Sequence, residues 1–542
     1  QLVPLLFGTI NLTKISAEKP DILLEVDKQG RGNWEFDTPP GESSTPLNVG
    51  EVAVTGLKLG YRDMQTGRSA DVEGKAIAVE IEGALQQLNV SSLNASGLRV
   101  AFKDAAAAGN LSAGALALTS QGAITDLGIT SARMSDAQFA YKGAGEAIEL
   151  QLTSFSLDED GKVALAGKLA GQDVKVNGTL APVSVLVAMN KAFPAKVEVE
   201  GYGLKATSDV TIAMENDRLF AKGSIVVPEI DLSKTPNTPP VKTDGRLFSA
   251  DPLPWDMLTV ADADVNVSIG KVTLSNGFVV TDVTVPVTVT KGRLTASPVS
   301  VAVAGGSVVA NVGLNAQTKA ASLKAEGKGF TAEGLAKALQ MTDAITQGPI
   351  DLSMDVRGAG NSVREIMATL DGAVVTGMGE SRMRNDMLNI VGADVIMQVL
   401  SAVNPVGNKD PYTVSRCGVI NLQIADGVAR TTQGIALVTD KMQLTASGQI
   451  DLGAERIDLS VSPRATSGLG VGLGTIVQSV RISGPLADPS VGMDKANAVK
   501  TLGALGAAFA TGGASLFAQG AKGRIEGAGD PCQTARTWHI KK

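Results

Sequence analysis

Aromatic residues make up only 4% of this 542-residue chain, and its three tryptophans, Trp34, Trp255 and Trp538, lie far apart. That excludes the aromatic platforms on which a polysaccharide-active protein stacks sugar rings. Histidine occurs once, at His539, and cysteine twice, at Cys417 and Cys532. So thin a supply of soft ligands excludes a Cys/His zinc cluster and most histidine-based catalytic triads. Positive charge is also short, with 48 Lys and Arg against 55 Asp and Glu and a net charge of −7. The chain therefore lacks a basic surface large enough to release many phosphate counterions, and nucleic acid is not expected as a partner. No basic, apolar leader opens at Gln1, so a signal or anchor is expected to have been removed or to lie upstream.

What the chain has in abundance is alternation of period two. Ile22, Leu24 and Val26; Leu57, Leu59 and Tyr61; Ile77, Val79 and Ile81; and Ile148, Leu150 and Leu152 each alternate with polar residues. The pattern continues through Val210, Ile212 and Met214, through Val265, Val267 and Ile269, and through Val283, Val285, Val287 and Val289. It resumes in Ile420, Leu422 and Ile424, in Met442, Leu444 and Ala446, and in Ile457, Leu459 and Val461. Such strands have one apolar and one polar face, as an antiparallel sheet with one wet side requires. The expected fold is mainly β: a long, curled antiparallel sheet with a few short covering helices. Open sheets beyond about ten strands curl, split or close, so the apolar face must either line a groove or be packed shut as a sandwich or solenoid.

Helical signals are few. Val183 to Ala192, after Pro182, suits a short helix. Further helices are expected near residues 331–347, with Thr331 as N-cap, near 362–371, where Ser362 and Glu365 match a capping box, and near 386–402. Three prolines between Ser233 and Gly245 mark a break, and Thr501 to Ala521, free of charge but rich in Gly and Ala, reads as a weakly hydrophobic helix. These features divide the chain into an N-terminal β region, 1–245, a second β region, 246–494, and a Gly/Ala-rich helix and tail, 495–542. The run SGLGVGLG, residues 467–474, lacks the spacing of a phosphate-binding loop and reads as a flexible turn. Acidic pairs such as Asp262/Asp264 read as solvated strand faces.

Several segments, in order, resemble the AsmA family. KISAEKPDILLEVDKQGRGNWEFD, Lys14 to Asp37, is similar to its N-terminal signature, and LKLGYRDMQTGRSADVEG, Leu57 to Gly74, to the hairpin that follows. Asp251 to Asn315 resembles the start of the family's C-terminal region. Ile424 to Arg464 and Val480 to Asp494 resemble the end of that region, and GAGDPCQTAR, Gly527 to Arg536, its closing tail. The resemblance implies an elongated apolar β-groove in a periplasmic body, anchored in the inner membrane by an N-terminal helix absent here. It also implies a role in outer-membrane biogenesis and lipid homeostasis.

On that reading the groove would be lined by Ile22, Leu24, Ile77, Val79, Ile81, Val265, Val267, Ile269, Val283, Val285, Val287, Val289, Ile420, Leu422, Met442, Leu444, Ile457 and Leu459. Its expected partners are phospholipid acyl chains and the inner and outer membranes. No catalytic residue, cofactor or metal is expected. The alternative is a structural or regulatory envelope protein that acts on outer-membrane protein assembly through protein contacts. Cys417 and Cys532, 115 positions apart, either pair in an oxidising compartment or remain two small buried thiols. Trp34, after the polar turn at Gln29 to Asn33, is expected to cover the end of the apolar face.

Overall fold

A computed structural model describes residues 10–35, 47–82, 89–104, 107–121, 128–142, 148–169, 171–189, 191–216, 218–233, 245–274, 277–338, 345–384, 412–440, 442–465, 480–493 and 530–539. The expected helix near 386–402, the turn at 467–474, the Gly/Ala-rich segment and most of the Pro-rich break lie outside these residues. The chain is mainly β and divides into two units, Gln1–Val227 and Pro228–Lys542.

The first unit contains β1 (Ile10–Glu18), β2 (Asp21–Val26), β3 (Leu47–Asp63), β4 (Ser69–Glu82), β5 (Asn89–Lys103), β6 (Ala108–Gln121) and β7 (Gly128–Lys142). They are followed by β8 (Ile148–Leu157), β9 (Lys162–Leu169), β10 (Gln172–Thr179), the helix α1 (Val183–Ala188), β11 (Phe193–Gly201), β12 (Leu204–Glu215) and β13 (Arg218–Asp231), within which the division falls. From β3 onward each strand pairs antiparallel with the next. The expectation of a wholly antiparallel sheet is corrected at one edge, where β1 and β2 both run parallel to β3. They are one broken edge: Lys19 takes φ 48° and Pro20, which has no N–H to give, ends the first ladder. The sheet is therefore mixed.

A row of residues crosses this sheet at mid-strand and accounts for its curl. Gly56 faces Lys75, Lys75 faces Gly97, Gly97 faces Gly114, Gly114 faces Asp136 and Asp136 faces Thr153, with the pairing kept in step on both sides. Gly56, Gly97 and Asp136 have φ of 66°, 57° and 48°, the left-handed region that glycine and aspartate tolerate best. At this row every strand shifts its apolar phase by one residue. In β5 it passes from Leu93 and Ala95 to Leu98 and Val100, and in β7 from Met134 to Ala137 and Phe139. Without the shift, one half of each strand would turn its apolar side outward.

The second unit contains α2 (Met257–Val260), β14 (Ala261–Thr273), β15 (Val279–Thr290), β16 (Arg293–Val303), β17 (Gly306–Asn315), β18 (Ala320–Thr331), α3 (Ala332–Ala338), β19 (Ile345–Gln347), β20 (Pro349–Ala359) and α4 (Val363–Ala368). It continues with β21 (Asp371–Met378), β22 (Ser381–Arg384), β23 (Tyr412–Ala425), β24 (Val428–Thr439), β25 (Met442–Asp451), β26 (Arg456–Ala465), β27 (Val480–Pro485), β28 (Ser490–Met493) and α5 (Pro531–Thr537). Of the helix expected at 331–347, the described residues contain α3, while Ile345–Gln347 is corrected to a strand against β22. In α4 the Ser362 hydroxyl accepts from the Glu365 N–H at 3.2 Å, while Glu365 reaches back to the N–H of Asn361, one residue beyond a closed capping box. The segment before β14 is strapped to α4: Leu253 N–H donates to Asn361 O, Trp255 Nε1 donates to Gly360 O at 3.2 Å, and buried Glu455 accepts from the Leu247 N–H with Arg364 Nε 3.7 Å away.

The phase-shift row makes a direct prediction. Gly97→Val puts a branched side chain at φ 57° with Lys75 Cβ only 3.0 Å from the new Cβ, and should destabilise the first unit by about 2 kcal/mol. Ser96→Val, one residue earlier, should change stability by less than about 0.5 kcal/mol. Urea denaturation followed by circular dichroism measures both, and equal effects would refute the role given to this row.

Candidate functional site: an apolar trough

In the first unit, the row of phase shifts brings apolar residues from both halves of each strand onto one face. Ala95, Leu98, Ala113 and Ala137 form a buried cluster, and Val72, Ile77, Leu93, Val100, Leu116, Met134 and Leu152 pack around it. The floor at the bend is built of small residues and is closed: Ala113 and Ala137 are each 2% exposed. The walls above are half-buried, and Phe102 near the end of β5 is 37% exposed. A buried floor between half-exposed walls is a trough. Small floor residues allow the bend, because Ile77 folds across the floor onto Gly74, where an added Cβ would lie 2.6 Å from its Cδ1.

The second unit has an apolar face of its own, kept in register across neighbouring strands. Val265, Val267 and Ile269 face Val287, Val285 and Val283, and the phase shift recurs where Gly270 faces Asp282, whose φ is 51°. Beyond them, Ala310 pairs with Ala325, Leu437 with Leu444, and Ala446 with Val461. The face is increasingly packed toward its end. Leu444, Ala446, Val461 and Val480 form a core 2–6% exposed, and Val356, Leu370, Ile424 and Ala429 form another beneath Ile366 and Met367 of α4.

The expected lining residues fall on these faces. Ile22 and Leu24 sit opposite Leu59 and Tyr61 on the edge strand, with Ile22 43% exposed. Ile77 and Val79 are half-buried on the first unit's trough, and Ile81 is buried beside Val90. Val265, Val267, Ile269, Val283, Val285 and Val287 are half-buried, while Val289 is buried. Ile420 is 43% exposed, Leu422 joins the cluster beneath α4, and Met442 packs against the buried Leu444 core. Ile457 is half-buried and Leu459 buried. Sequence reading missed the strongest part of the trough, Leu93 to Met134. Its signal was present in Gly56, Gly97 and Asp136, where strict alternation breaks and resumes out of phase.

The opposite face is wet and charged. Arg481 grips Asp458 through two hydrogen bonds of 2.7 and 2.6 Å, and this pairing holds the Asp458 carboxyl below its ordinary range. Lys196 and Asp209 pair at 3.0 Å, and Lys14 and Glu51 at 2.9 Å. Exposed pairs of this kind add about 0–1 kcal/mol each, so their main effect is to keep this face in water. At the edge, the Asx turn of Asp27 accepts from Gln29 and Arg31, and the Asn33 amide bonds the β2 backbone at Leu23 and Glu25. Trp34 lies over Gly32 and stays 42% exposed.

One patch of the outer face is covered. Cys417 and Cys532 are joined by a disulfide, which ties α5 to β23 across the outward residues Val419, Ala436 and Val438. Fully buried Asn421 donates to the carbonyls of Ala535, Arg536 and Trp538 at 3.0, 3.2 and 2.8 Å. It thereby supplies partners that the last helical turn lacks. Arg536 forks onto Asp351 at 2.9 and 3.0 Å. Among the described residues, no helix is long and apolar enough to cross a membrane.

Residues 241–433 match the family model described as AsmA family. The chain is also 26% identical over 275 residues to the AsmA family protein YhjG of Escherichia coli strain K12, a match covering 50% of this chain and 38% of that protein. No solved structure matches. The resemblance read from the sequence is therefore borne out, and residues 241–433 form an AsmA-family region.

Removing the Asn421 amide should release α5. Asn421→Ala is expected to destabilise the docked tail by about 1–3 kcal/mol and to speed hydrogen exchange at Ala535 and Trp538 before it changes that of β23. Unchanged protection in exchange mass spectrometry would show that the disulfide alone holds the tail.

Proposed function

We propose, from the AsmA-family region and the apolar trough, that this chain is part of an envelope protein of outer-membrane biogenesis that binds phospholipid and conducts it between the inner and outer membranes. The observation that carries this reading is the trough of the first unit, with its closed small-residue floor and half-exposed aliphatic walls. Each acyl CH₂ taken from water into such a surface gains about 0.8 kcal/mol. The headgroup stays at the wet rim. Lining residues of similar size, such as Val283, Val285, Val287 and Val289 in file, create no deep energy well, so a lipid can slide and the donor and acceptor membranes set the direction. The proposal assigns the chain no bond chemistry.

One observation favours a second reading for part of the chain. The Leu444, Ala446, Val461 and Val480 core is packed nearly dry, as it would be in an envelope protein that acts on outer-membrane protein assembly through contacts with other proteins. The two readings separate in one experiment. Protein purified from bacterial envelopes should carry phospholipid detectable by mass spectrometry, and a photoreactive residue at Leu116 or Val285 should crosslink to it while one at Thr288, on the outer face, should not. Val285→Asp should lower the bound lipid several-fold by placing a charge in the trough. Lipid-free protein without these crosslinks would overturn the conduit reading, and protein adducts from Leu444 would favour the second.

A further inference from the structure

The outer face of the second unit contains a dent of about 560 Å³ that the trough does not explain. It spans β16, β17, β18, β20 and the start of β21. Its floor is polar and small, because Thr295 faces Gly313, Gly313 faces Ser322, and Asn315 faces Ala320, which in turn faces Ala359. Arg293, at the first position of β16, stands at one wall, and Arg357, opposite Ser322, stands at the other. Both are exposed, and among the described residues neither guanidinium has a hydrogen-bond or ion-pair partner. The neighbouring carboxylate, Asp371, sits across from Arg357 but accepts from the Asp426 N–H at 3.0 Å. Gly313 keeps the floor open: a Cβ there would lie 2.7 Å from Ser322 Oγ.

We propose that this dent is a binding site for a phosphate group. Two guanidinium groups lining one dent from β16 and β20 can each offer charge-assisted donors to the oxygens of a tetrahedral dianion, and the hydroxyls of Thr295 and Ser322 offer donors from the floor. In a chain of net charge −7, two unpaired arginines at one polar dent concentrate local positive potential where the protein as a whole repels anions. The site lies on the face opposite the second unit's own apolar residues, such as Leu294 and Leu314, and does not depend on lipid entering the trough. The phosphate has two possible sources, a free phosphate compound or the headgroup of a phosphomonoester lipid.

The test uses the full chain at physiological salt. Titration calorimetry with inorganic phosphate and with pyrophosphate, and flotation with phosphatidylcholine vesicles with and without phosphatidic acid, separate the two sources. Binding in solution without vesicle preference assigns a free phosphate compound, and flotation that requires phosphatidic acid assigns the headgroup. In either case Arg293→Gln and Arg357→Gln should each weaken binding about tenfold or more, as expected for losing a charge-assisted hydrogen bond. Gly313→Val should weaken it comparably while leaving both arginines in place. Phospholipid carried in the trough should be unchanged in all three variants, so failure here is distinct from failure of the conduit reading. No binding of any probe, or binding unaffected in the Arg293→Gln/Arg357→Gln double variant, would overturn the proposal.

Discussion

A sheet that keeps one side dry depends on every strand presenting its apolar residues to the same side along its whole length. Strands of 14 or 15 residues, such as β5 and β6, cannot bend sharply and keep strict alternation, since a bend by one residue in the left-handed region rotates everything after it. The chain resolves this by shifting the apolar phase of β3 to β8 at a single transverse row. Because neighbouring strands shift together, their hydrogen-bonded register survives and only the direction of the strands changes. The trough, its small-residue floor and its half-exposed walls all follow from that coincidence. A lone shift in one strand would expose half of its apolar residues and leave its neighbours unpaired.

The two faces then take separate roles. On the inner face, Val, Leu and Ile of similar size make a surface with apolar capacity, which suits acyl chains better than a polar ligand held in one place. On the outer face, charged pairs keep most of the surface wet, and the chain departs from that rule in two places. At α5, a disulfide, a buried asparagine amide and an arginine fork hold a seven-residue helix that is too short to persist in water alone. At the Arg293 and Arg357 dent, neither guanidinium has a partner among the described residues.

The resemblance and the trough support each other without being the same evidence. The family-model match covers residues 241–433, whereas the first unit's trough is built largely from Leu93 to Leu152, where the sequence resembles the family in style and not in words. The trough of the first unit therefore supports the lipid-binding proposal in a part of the chain outside the family-model match.

By itself the sequence determined the class of fold, because period-two alternation with few aromatics permits little but thin sheet, and it determined the polarity of each strand's two faces. With one histidine and two cysteines, it also left no residues for a Cys/His zinc cluster. Tertiary structure decided the rest. The phase of one strand has no meaning without the phase of its neighbour, so the trough appeared only when Gly56, Gly97 and Asp136 were seen to fall in one row. The parallel edge was hidden because β1 and β2 alternate like any other strand, and only the route of the chain back to the start of β3 sets their direction. Cys417 and Cys532 could be counted but not paired, since a bond across 115 residues depends on where a short tail lands on a distant strand.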